Sequence, residues 1–128
     1  MSAAGGSFVE YPVRLILPRP GAVELQQAMT VLERICSDVD GYALSVRSLR
    51  VFRTVGTEEM KPVPAWEARA VHRLGNAGLV FVFSRRLLLR SGAVRAWVNL
   101  LFATPTGFEV MEFWRDLKRL AGREAGDG

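Results

Sequence analysis

Residues 79–103, LVFVFSRRLLLRSGAVRAWVNLLFA, decide the fold. Read as extended chain, Leu79, Phe81, Phe83, Leu87 and Leu89 fall on one face of a strand ending at Arg90. Ser91-Gly92 supplies a two-residue turn. Ala93–Ala103 then returns with Val94, Ala96, Val98, Leu100 and Phe102 on one face and Arg95, Trp97 and Asn99 on the other. Val94, Trp97, Val98 and Leu101 also fit helical spacing, but the hairpin accounts for more of the pattern. A hairpin with an apolar face needs a cover, and the sequence offers helices on both sides of it.

On the C-terminal side, Thr106-Gly-Phe-Glu109 reads as a capping box. It opens a helix whose Val110, Phe113, Trp114, Leu117 and Leu120 turn inward until Gly122 stops it. On the N-terminal side, Pro18-Arg-Pro-Gly21 precedes a helix with the stripe Leu25, Ala28, Met29, Leu32, Ile35, Cys36 and Val39, ended by Gly41. Before it, Phe8–Leu17 alternates as a strand that Pro12 confines to an edge or bulge. Tyr42–Val55 reads as one strand with a bulge near Arg47–Ser48, where the apolar phase changes. Gly56–Pro64 reads as a polar loop. Ala65–Leu74 fits both helix and strand, and its alanines favour helix. The order β-α-β-(α or β)-β-β-α predicts an α+β fold. Its form is a two-layer sandwich: a mostly antiparallel sheet of four or five strands with both main helices on one face. Residues 1–7 and 122–128 read as tails around a single domain, 8–121.

The chain has 128 residues, enough for one domain at roughly 100–200 residues each. Its apolar share is 49% before 12 glycines are counted, above the roughly 45–50% usual with glycine included. No stretch approaches the ~18 apolar residues of a membrane span, so no membrane partner is expected. One Cys and one His exclude a disulfide framework and a Cys/His metal cluster. Met1–Ser7 has neither the basic nor the apolar region of a secretory signal, which points to the cytoplasm.

Net charge is +4, and only Lys61 and Lys118 among the 17 cations are lysines. A GC-rich coding bias produces such an arginine excess, but not its segregation. Between Tyr42 and Arg95 lie ten cations and three anions, whereas the two flanks together are acidic. Charge segregation of this kind bears on association rather than on fold.

Catalytic chemistry finds little support. Cys36 lies within a helical apolar stripe, unlike an activated thiol. His72 has no Ser or acidic partner in a recognisable order. Glu109, Glu112 and Asp116 could share a helix side, but Arg115 and Arg119 sit beside them. Gly75-Asn-Ala-Gly78 lacks the spacing of a phosphate loop. A non-catalytic domain is therefore expected, with no cofactor and no metal.

Two functions follow from the surface that is left. Adjacent apolar residues in a strand point to opposite faces, so some of Leu88, Trp97 and Leu101 should lie on the sheet side away from the helices, as the candidate interface. An uncovered apolar sheet face asks for a symmetric partner, and a homo-oligomer, most simply a dimer, is the first expectation. The alternative is binding of single-stranded nucleic acid or another polyanion. Arg47, Arg50, Arg53, Arg85, Arg86, Arg90 and Arg95 would contact phosphates, with Phe52, Phe81, Phe83 and Trp97 among them for stacking.

Overall fold

The computed structural model describes residues 20–37, 41–45 and 47–127. The edge strand read at Phe8–Leu17 and the N-terminal tail lie outside the described residues. Within them the chain runs α1 (Ala22–Ser37), β1 (Tyr42–Ser45), β2 (Arg50–Val55), β3 (Glu59–Pro62), α2 (Ala65–Asn76), β4 (Val80–Ser91), β5 (Val94–Ala103) and α3 (Pro105–Asp127). The fold is α+β, with residues 65–74 helical and 79–103 a long hairpin, as the sequence suggests.

The sheet departs from expectation in two ways. It is mixed rather than mostly antiparallel: β3 lies parallel to β4 through Glu59 and Arg90. It also closes on itself in the order β1-β2-β3-β4-β5, with β5 returning to β1. Two local features make closure possible. Tyr42–Val55 is not one bulged strand but a hairpin, turned at Arg47–Leu49 with Leu49 at φ 58° and its amide donating to the Ser45 carbonyl. The segment read as a loop contains β3, whose Met60 points into the barrel opposite Thr54.

Closure divides the apolar residues into two cores. Ala43, Phe52, Met60, Leu89 and Val98 fill the barrel, with Leu87, Ala96 and Leu100 packed against them. Tyr42, Leu44, Val51, Val80, Val82, Leu101 and Ala103 point outward and meet the helices through Met29, Leu32, Ile35, Val71, Leu74 and Met111. The regularly alternating face of the hairpin thus lines the barrel, and the opposite face carries the helices near the hairpin base. Leu101, expected on an uncovered side, is 2% exposed in this second core.

The cap of the third helix lies two residues before the expected Thr106. Thr104 is its cap residue: its Oγ1 accepts the Gly107 amide at 3.0 Å and its carbonyl accepts the Phe108 amide. Pro105 occupies the first helical position, where its missing N–H costs nothing. The helix passes through Gly122, where a stop was expected, and continues to Asp127.

His72 is buried in α2, and burial holds its pKa below the usual imidazole value despite a hydrogen bond with the Leu49 backbone. The unfolded chain therefore binds a proton before the folded one as pH falls below about 6.5. Stability should be intact above that value and decline on acidification through it. Urea titrations at pH 7 and pH 5.5 should show the decline in the wild type and a smaller one in His72→Asn. Equal declines would remove His72 as the cause.

Candidate nucleic-acid interface

Side-chain alternation and the pairing register place the basic residues. Cross-strand partners share a face, so Arg86, Leu88 and Arg90 of β4 project outward with Asn99, Trp97 and Arg95 of β5. This stretch lies towards the hairpin tip, away from the strand ends that carry the helices. Trp97 remains 57% exposed and Leu88 44%, directly opposite one another. Both lie on the same sheet face as the helices, not on the face away from them. That other face forms the barrel interior, except at the base, where Phe81, Phe83 and Phe102 pack together with Phe83 and Phe102 still exposed.

The Arg86 guanidinium carbon sits 6.0 Å from the centre of the Trp97 ring, within cation–π range. Two residue pairs beyond Leu88 and Trp97, on the same face, Arg90 and Arg95 face each other across the strands. A hollow of 260 Å³ is lined there by Glu58, Leu88, Leu89, Arg90 and Arg95. Glu59 pairs with Arg90 here, at 3.7 Å and just over half exposed. Two like charges placed opposite each other disfavour the bare sheet.

The same outward face continues across β3 to β2. Lys61 stands opposite Arg53 on the outer side, and both border an open groove of 400 Å³ with Thr54, Pro62 and Glu67. Lys61 was absent from the expected contacts because its segment read as a loop. Glu67, at the groove wall, is committed internally: its Oε2 accepts from the Tyr42 hydroxyl and from Arg34 Nη1, the latter at 3.0 Å.

Of the seven arginines expected to act together, Arg86, Arg90 and Arg95 share the outer face of the hairpin, and Arg53 lies on the same side two strands away. Arg50 shares a face with Phe52 instead, its guanidinium carbon 5.3 Å from that ring's centre. Arg47 sits on the β1–β2 turn and Arg85 in the irregular stretch of β4 between Val82 and Arg86. That irregularity is anchored by Asn99, whose Nδ2 donates to the Phe83 carbonyl at 2.8 Å.

Burial raises the Cys36 pKa, which disfavours a thiolate nucleophile. Among the described residues no three His, Cys, Asp or Glu side chains gather as a metal site, and no helix is long and apolar enough to cross a membrane. Comparison with family models, curated proteins and solved structures finds no match.

Proposed function

We propose that this protein binds a phosphate-bearing polyanion, most simply single-stranded nucleic acid, on the outer face of β3, β4 and β5. The observation that carries the reading is the exposed Trp97, backed by Arg86 and Leu88 and set beside the opposed Arg90 and Arg95. A planar indole on a rigid strand offers a base a stacking platform at little entropic cost. Guanidiniums two residue pairs away suit the adjoining phosphates, and an anion between Arg90 and Arg95 would relieve their repulsion. Lys61 of β3 and Arg53 of β2 extend the positive surface across the neighbouring strands for a longer chain.

Fluorescence anisotropy with a labelled single-stranded oligonucleotide, at 50 and 200 mM salt, tests this. Affinity should fall steeply with salt, at a log–log slope of roughly −0.7 per phosphate engaged. Trp97→Ala should weaken binding roughly 5- to 150-fold at both salt concentrations. Replacing Arg90 and Arg95 with alanine should flatten the slope by about 1.4, the share of two phosphates. Absence of binding at 50 mM salt overturns the proposal, and binding indifferent to all three changes places the contact elsewhere.

A further inference from the structure

From the outer surface of α3 we infer a second interaction site: the helix pairs antiparallel with α3 of a second copy of this chain. The basis is independent of the nucleic-acid surface, which lies on the strands. α3 has 23 residues, about 34 Å at 1.5 Å per residue, yet the side chains described as packed on the core all lie in its first half. Gly107 and Met111 are buried and Val110 and Trp114 half-buried, whereas the side chains from Arg115 to Arg123 are all exposed. A helical segment that stands clear of its core gains little from its own backbone and is marginal alone.

That free portion is not uniformly polar. Phe113, Leu117 and Leu120 form a stripe at spacings of four and three, 64%, 44% and 55% exposed. This is the narrow seam by which two helices meet. Beside it, on the flank away from the core, run Glu109, Glu112, Asp116, Arg119 and Arg123, spaced three, four, three and four residues apart. The row is polarised: three acids, then two bases.

Its polarity selects both the partner and the orientation. When two identical helices pack antiparallel, the same flank of each lies alongside itself, running in opposite directions. Glu109 and Glu112 of each copy then come alongside Arg123 and Arg119 of the other, twice over by the two-fold axis. Asp116, which also pairs with Arg119 of its own helix at 3.1 Å, falls near that axis. A parallel pair would instead set this row against the partner's opposite flank, where Val110 and Trp114 pack on the core, and its acids and bases would not meet. The expected self-association is thereby moved from the far face of the sheet, which is barrel interior, to a helix whose Phe113, Leu117 and Leu120 the sequence predicts to point inward but which are exposed.

Sedimentation velocity of the full chain from 1 to 200 μM tests the inference. The wild type should approach twice 14.2 kDa with rising concentration, more weakly at high salt. Leu117→Asp should weaken dimerisation at least roughly thirtyfold while the circular dichroism of the folded monomer is retained. Changing Glu109 and Glu112 to Lys, or Arg119 and Arg123 to Glu, should each weaken it, and combining the four should restore it, because the polarity is then simply reversed. A wild type that stays monomeric at 200 μM overturns the inference. So does a dimer that survives Leu117→Asp, or four changes that fail to restore what two removed.

Discussion

Gly107→Ala is expected to destabilise the protein by about 2–4 kcal/mol, although alanine is ordinarily the better helix former by ~1 kcal/mol. Gly107 is buried in the first turn of α3, at the point where that helix crosses the start of β4. A methyl group there would stand 2.1 Å from the Leu79 carbonyl oxygen and 3.1 Å from its carbon. Neither neighbour is a flexible side-chain end that could swing aside. The Leu79 oxygen accepts the Thr104 amide at 3.0 Å, and the Thr104 hydroxyl donates to the Gly78 carbonyl at 2.8 Å. Thr104 therefore ties the turn after α2 to the start of α3, and room for the methyl comes only by breaking that tie or lifting the helix. Gly122 supplies the contrast within the same helix. Nothing lies within 4 Å of a methyl placed there, so Gly122→Ala should gain up to about 1 kcal/mol. Thermal melts of the two variants should move in opposite directions, Gly107→Ala down by on the order of 10 °C. A shift in the same direction for both would mean that the close approach at Leu79 does not exist.

These contacts also show which parts of the fold are legible in the sequence. The stripe of α1 and the alternation of 79–103 are local patterns, set by periods of 3.6 and 2, and they survive into the structure. Closure of the barrel is not local. It depends on Glu59 meeting Arg90 across a helix, and on a four-residue strand whose one inward apolar residue is Met60. A segment with two charged residues and a proline gives no periodic signal of a strand. The reversal of faces has a different cause. Near the hairpin base, Val80, Val82, Leu101 and Ala103 on one face are as apolar as Phe81, Leu100 and Phe102 on the other, so alternation cannot say which side meets the helices. Only towards the tip, where Arg86, Arg90 and Arg95 interrupt one face, does the pattern become one-sided.

The candidate site was legible in content and not in arrangement. Charge segregation points to the central region, but the opposition of Arg90 and Arg95 depends on where a two-residue turn is placed, to within one residue. Gly92, at φ 63°, takes the first of the two loop positions, where a mirror-image turn favours glycine. Ser91 then belongs to the strand and pairs with Val94. Placing Ser91 in the turn instead shifts every partner by two residues and sets Arg95 opposite Leu88. The faces would be unchanged, but the paired guanidiniums would vanish.

Glu67→Ala is expected to cost about 3 kcal/mol, because it strands a hydroxyl the fold has fully enclosed. Tyr42 is completely buried, facing Leu101 on one side and Arg53 on the other in the sheet, and its hydroxyl donates to Glu67. Glu67 is 4% exposed, and its charge is met by Arg34, which also donates to the Tyr42 hydroxyl at 3.2 Å. Loss of the carboxylate leaves the hydroxyl without its acceptor, whereas the partly exposed Arg34 can turn to solvent. The cost should therefore lie at the low end of the ~3–5 kcal/mol seen when one partner leaves a buried pair. Tyr42→Phe should cost ~1–2 kcal/mol, and the double variant less than the sum, since the two residues share one interaction. The same pair has a signature at alkaline pH. Burial, with the hydrogen bond to Glu67, pushes the Tyr42 pKa up to about 12 from its ordinary 10. The unfolded chain thus loses this proton first, so the contribution to stability is full below pH 10 and drains away as pH rises towards 12. Urea titrations at pH 8 and 10.5 should show that loss in the wild type and a smaller one in Tyr42→Phe. Additive single-variant costs, or an unchanged alkaline decline in Tyr42→Phe, would show that the triad of Arg34, Tyr42 and Glu67 does not act as one unit.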